Sequence, residues 1–128
     1  MSESYTVFVK KEISFLEIKS ALEKIINISL EKSDSKDWKI FTAVSLGLKI
    51  SLFEANNYEN DGELKLSQYN YEIDVDYIRN VFDLNYASEW RLMGALVVGS
   101  LVSKKLHCEC IAVKNVQVLL ERFLPDEK

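Results

Sequence analysis

Glu72, Asp74 and Asp76 stand at alternate positions of one segment, and in an extended chain alternate side chains share a face at a spacing of roughly 6.5–7 Å. Carboxylates at that distance suit three kinds of work. Two of them can divide the acid and nucleophile roles of a hydrolysis, several can hold a divalent cation, and a row can attract a basic partner while rejecting wrong ones. The plainest reading is a solvated face with no further role. Hydrolysis asks for more than carboxylates, and neither a His nor a Gly-rich loop lies near these three in the chain. Recognition is therefore the stronger of the functional readings. Tyr58, Asp61 and Glu63 complete the candidate partner-binding set, with Tyr69 and Tyr86 as further aromatic neighbours.

His107, Cys108 and Cys110 form the other cluster of reactive types, and on a strand the two thiols point to the same side. Structural zinc takes four ligands, commonly as two pairs, and the chain has no other Cys or His. The expectation is a pair of buried, reduced, metal-free thiols. A disulfide between them is disfavoured, because Cα atoms two residues apart on an extended strand are about 6.5–7 Å apart, at the limit of disulfide geometry. One His without a Gly-rich turn makes no nucleophile–base–orienter set. Gly47, Gly62, Gly94 and Gly99 are too scattered for a phosphate loop or a dinucleotide fingerprint. Gly94 and Gly99 instead suit close packing of a helix against a neighbour. No catalytic residue, metal or cofactor is assigned.

The elements that must position these residues follow from periodicity. Tyr5-Thr-Val-Phe-Val9 is β-branched and aromatic between polar flanks, and predicts a strand. Leu16, Ile18, Leu22, Ile25 and Ile26 follow a helical period. Ser14 stands before them with Glu17 three residues on, the capping-box spacing, so a helix is expected over about 14–29. Residues 31–37 are polar enough for a loop. Residues 38–54 alternate, and predict one long strand bulged at Gly47; a short helix from Trp38 to Gly47 is the competing reading. Tyr69, Tyr71, Ile73, Val75 and Tyr77 alternate with Asn70, Glu72, Asp74 and Asp76, which predicts a half-buried strand with one acidic face. Its expected partner is residues 48–54, antiparallel. Ser88 is positioned to cap a helix over about 88–105 whose apolar residues nearly encircle it, so burial on most sides is expected. Residues 106–113 read as a strand, and Val116, Leu119, Leu120 and Phe123 as a short C-terminal helix. The fold class is α+β, a mostly antiparallel sheet packed by two main helices and that short third one.

A chain of 128 residues with 48% hydrophobic content, one Pro and four Gly is expected to be one globular domain over 1–128, long enough to bury a sizeable core. Its longest uncharged apolar run, Leu92 to Val102, falls well short of the roughly 20 residues that span a bilayer. The N-terminus lacks a basic stretch followed by an apolar one, so the cytoplasm is the expected compartment and no membrane contact is expected. A net charge of −4 argues against nucleic acid as partner. That deficit is local. Residues 54–89 hold nine acidic side chains against Lys65 and Arg79, while the flanking thirds are close to neutral.

Residues 46–77 run Leu-Gly-Leu-Lys-Ile-Ser-Leu-Phe-Glu-Ala-Asn, then an acidic loop, then Leu-Ser-Gln-Tyr-Asn-Tyr-Glu-Ile-Asp-Val. This stretch resembles the small α+β immunity proteins of bacterial polymorphic and contact-dependent toxin systems. The resemblance implies a cytoplasmic inhibitor that binds a cognate toxin domain, often a nuclease with a basic catalytic surface. It carries over no individual residue, since such proteins vary most where they bind. An acidic module without a catalytic constellation agrees in sign with a plug for a basic cleft. Two other classes are compatible with the residues: a self-associating structural or regulatory protein, and a small carboxylate-dependent hydrolase using Glu72, Asp74 and Asp76.

Overall fold

The computed structural model describes residues 4–32, 41–45, 47–55, 65–77 and 84–125. The elements are β1 (Tyr5–Lys10), α1 (Phe15–Ile26), β2 (Glu31–Lys32), β3 (Phe41–Ser45), β4 (Leu48–Glu54), a 3-10 turn at Leu66–Gln68, β5 (Tyr71–Tyr77), α2 (Leu84–Leu106), β6 (Glu109–Lys114) and β7 (Val118–Phe123). The strands make one seven-stranded sheet in the order β2-β3-β4-β5-β1-β6-β7, antiparallel at every pairing. The class is α+β, with the sheet dominant.

β1 sits inside the sheet and is buried along five of its six residues. That explains a β-branched and aromatic run without polar alternation, since such a strand has apolar neighbours on both faces. Tyr5, Val7 and Val9 join Ile50, Leu52, Ile73 and Val75 in the main core, over which α1 and α2 lie. Phe8 points the other way, into a smaller cluster with Leu66, Tyr69, Ile111 and Val113. Burying each large aliphatic side chain in such a core contributes about 1.5–3 kcal/mol.

α1 is built as its sequence reads. Ser14 Oγ accepts from the Glu17 backbone N–H at 3.1 Å, and the Glu17 carboxylate accepts from the Ser14 N–H at 3.4 Å. The helix stops at Ile26, earlier than residue 29, because Asn27 turns left-handed with φ 58. The pairing of 48–54 with the acidic strand is present, with Ile50 opposite Val75 and Leu52 opposite Ile73. Ile73 and Val75 are 0% and 2% exposed.

Several expectations are corrected. Residues 38–54 are not one bulged strand: β3 and β4 form a hairpin that turns at Gly47, φ 77, with Ser45 opposite Leu48. The turn also shifts parity, so Ala43 shares the core face with Ile50 while Thr42 shares the other with Ser51. The sequence keeps one phase through the turn, so its alternation puts Val44 on the core face, whereas the hairpin leaves it 50% exposed. The Trp38–Gly47 helix is excluded over 41–45, and Trp38 itself lies outside the described residues. Glu31 and Lys32 of the expected loop are a short strand paired with β3; residues 33–37 lie outside the described set.

The expected C-terminal helix is β7 instead. Asn115 and Val116 adopt φ 54 and 57, which folds the chain back as a tight hairpin onto β6. A register shift at Ala112/Val113 lets Leu120 and Phe123, three apart, both pack on the main core, imitating a helical spacing. α2 begins at Leu84, so Ser88 lies inside it and is not its cap. Nor is α2 buried on most sides: Met93, Val97 and Leu101 are 56%, 54% and 40% exposed. β6 starts at Glu109 instead of Leu106, since His107 turns with φ 51. No helix among the described residues is long and apolar enough to cross a membrane.

Candidate functional site

β5 sends Tyr71, Ile73 and Val75 into the main core and turns Glu72, Asp74 and Asp76 to the face opposite the helices. Register then decides the neighbours of each carboxylate. Glu72 lies between Phe8 and Phe53, Asp74 between Thr6 and Ser51, and Asp76 opposite Lys49. The three therefore occupy different environments, although the sequence presents them as equivalents.

Asp74 is half-buried and accepts a hydrogen bond from Thr6 Oγ1 at 3.0 Å. Thr6 and Ser51 are themselves buried, and Ser51 Oγ lies 3.3 Å from Thr42 Oγ1. A row of polar groups thus crosses β3, β4, β5 and β1. Desolvation, and after it the charge of Asp76, raises the Asp74 carboxyl above its ordinary value near 3.8, while hydrogen bonds with Glu72 and Thr6 act to lower it.

Asp76 is the most exposed of the three, its side chain 64% accessible. Its Oδ1 accepts from the Tyr77 backbone N–H at 2.8 Å and lies 3.6 Å from Arg91 Nη1. Arg91 is only 4% exposed. Its guanidinium sits over the rings of Tyr5 and Tyr77, at 5.3 and 4.9 Å from their centroids, a cation–π arrangement. Sequence reasoning left Arg91 out of the site. The signal was available: it is the one charged side chain in the apolar run from Trp90 to Ser103.

At the other end of the same face, Tyr69 Oη donates to Glu109 Oε2 at 2.5 Å, and Arg122 Nη1 donates to that oxygen at 2.8 Å. Burial, then the hydrogen bond to Glu109, pushes the Tyr69 hydroxyl well above the usual tyrosine range. Tyr69 belongs to the smaller cluster, stacked edge-on against Phe8, and so parts company with Tyr71 on the opposite side of the sheet. Tyr71 Oη donates to the Ile13 carbonyl under the entry to α1. Tyr86 is exposed on α2, which packs against the other side of the sheet from the carboxylates. Tyr58, Asp61 and Glu63 lie outside the described residues.

The two thiols meet as expected, Sγ to Sγ 3.9 Å, both buried and both free of a disulfide. Their contact sets them apart: it lowers Cys108 and, with burial, raises Cys110 far above the usual thiol range. His107 is exposed and turned away from regular structure. Among the described residues, no three His, Cys, Asp or Glu side chains come together as a metal site.

No protein-family model, curated protein or solved structure matches this chain.

Proposed function

We propose that this chain is a non-catalytic protein-binding module of the immunity-protein type, which neutralises a cognate toxin domain in the cytoplasm by binding its basic surface. One observation carries the reading: β5 ranks three carboxylates along the sheet face opposite the helices, from the half-buried pair of Glu72 and Asp74 to the exposed Asp76. Negative charge held on a sheet cannot collapse away from an approaching cationic surface. Such preorganised charge favours encounter and registers the partner without any reacting group. The acidic middle third of the chain, with nine carboxylates from Glu54 to Glu89, strengthens the field in the same region of the sequence.

The test uses the product of the reading frame immediately upstream. Expressed alone it should arrest growth, and co-expression with this chain should restore growth and yield a stable complex of the two. A harmless upstream product, or a toxic one that this chain neither binds nor relieves, overturns the proposal.

A further inference from the structure

α2 carries an apolar stripe on its outer side. Met93, Val97 and Leu101 follow one another at four-residue steps, each two-fifths or more exposed, and Tyr86 prolongs the line towards the helix start at 62% exposure. Four-residue steps keep side chains on one face of a helix. Beside the stripe runs an apolar groove of about 260 Å³, walled by Trp90 of α2 and Ile25 of α1 and floored by Ile50 of β4. The main core does not need this outer face: Ala95, Val98 and Val102 already supply the inward contacts. Contiguous exposed apolar surface of this kind marks a contact site on a soluble domain.

The charges at the two ends of the stripe say what fits it. Glu89 and Lys104 are both exposed, and neither takes an ion-pair partner among the described residues. Fifteen residues separate them, about 22 Å along a helix, and their midpoint falls at Leu96 and Val97. A second α2 laid antiparallel about a two-fold axis at that midpoint brings Glu89 of each copy level with Lys104 of the other. The same turn brings the two Val97 side chains to within one residue's rise of each other across the axis, and Met93 of one copy within one residue of Leu101 of the other. A parallel arrangement places like charges together at both ends. The surface is thus self-complementary in one orientation only, which is the requirement of an isologous two-fold interface.

We infer that this chain forms a homodimer through antiparallel α2 helices, with Val97 beside the two-fold axis and Glu89 paired with Lys104 across it. The dimer leaves the acidic face of β5 open on the far side of the sheet, so the inference stands independently of the toxin-binding proposal.

Sedimentation equilibrium of the whole chain over a range of concentrations tests it. The mass should rise to twice 14.8 kDa. Val97→Glu should hold it at the monomer mass with an unchanged circular dichroism spectrum, because that side chain is already half in water. Glu89→Lys and Lys104→Glu should each weaken the dimer by roughly tenfold, since one substitution sets like charges together at two symmetric places, and the double exchange should recover most of the loss. A wild-type chain that stays monomeric, a Val97→Glu variant that remains dimeric, or a double exchange no better than either single one overturns the inference.

Discussion

Arg91 of α2 reaches Asp76 at the end of β5, the middle strand of the sheet, Nη1 to Oδ1 3.6 Å, with one partner 5% and the other 64% accessible at the side chain. The asymmetry matters. The buried guanidinium also leans on Tyr5 and Tyr77 and donates to the Ala87 carbonyl at 3.4 Å and to Ser88 Oγ at 3.3 Å, whereas the carboxylate is solvated for most of its surface. Arg91→Ala removes packing, cation–π contact and hydrogen bonds together, and is expected to cost about 2–4 kcal/mol. Asp76→Asn is expected to cost about 1 kcal/mol or less, because water and the rings still serve the cation. Urea unfolding of the two variants checks the order; a larger loss from Asp76→Asn would show that the ion pair dominates.

The raised Asp74 carboxyl makes a pH prediction with a definite sign. Because the fold favours its protonated form, the associated stability is complete below the unfolded value near 3.8 and is lost as pH climbs through the higher folded value. At neutral pH an ionised Asp74 therefore works against the fold. Asn retains an oxygen to accept from Thr6 Oγ1 and cannot ionise, so Asp74→Asn is expected to match or exceed the wild-type stability at pH 7 and to lose that advantage near pH 4. Unfolding midpoints across that range decide it, and a variant equally destabilised at both ends would remove desolvation as the cause.

The same substitution bears on recognition. If the β5 row steers a basic partner, exchanging Glu72, Asp74 and Asp76 for Gln, Asn and Asn should slow association with the upstream gene product, and the deficit should shrink as salt rises, since exposed charges are screened beyond about 8–10 Å at 0.1–0.15 M. Stopped-flow association at several ionic strengths reads this directly. An unchanged on-rate moves the binding surface elsewhere on the protein.

Cys108 and Cys110 are 5% and 0% exposed, so iodoacetamide should label the native protein far more slowly than the urea-unfolded one. Cys108 should be modified first, because its thiol is lowered while that of Cys110 is raised. Mass spectrometry of partially labelled protein shows the order, and equal native labelling at free-thiol rates would contradict both the burial and the hydrogen bond.

Gly94 lets α2 settle onto the sheet: a Cβ there would lie 2.8 Å from Leu48 Cδ1 and 3.1 Å from Val75 Cγ1. Gly94→Ala therefore sets a gain in helix propensity of up to about 1 kcal/mol against overpacking of about 1–3 kcal/mol. The net effect is expected to be destabilising. At Gly99 the new Cβ would meet the Phe123 ring at 2.6 Å, but β7 lies at the sheet edge and can shift, so Gly99→Ala should cost less. Thermal melts of both variants test the ranking, and a stabilised Gly94→Ala would show that α2 rides above the sheet.

Local chemistry alone determined much of this protein. The capping box at Ser14 and Glu17, the part from Tyr71 to Tyr77 of the alternation expected from Tyr69, and the proximity of Cys108 to Cys110 each depend on residues a few positions apart, whose spacing has one inexpensive solution; the pairing of 48–54 with the acidic strand joins two such alternating segments. Where two solutions share a pattern, the chain could not choose. Unbroken alternation through Ser45 and Leu48 favoured one strand although the chain turns there, and Leu120 and Phe123 satisfy a helix or a bulged strand equally. Only pairing with β4 and β6 separated these cases, by completing backbone hydrogen bonds that a lone segment leaves open. The candidate site divides along the same line. That Glu72, Asp74 and Asp76 share a face was legible; that the middle one is half-buried between Thr6 and Ser51, and that Arg91 reaches the last from fifteen residues along the chain, is a matter of which strands and helix lie alongside β5. Charge is written in the sequence, but its solvation and its partners belong to the packing around it.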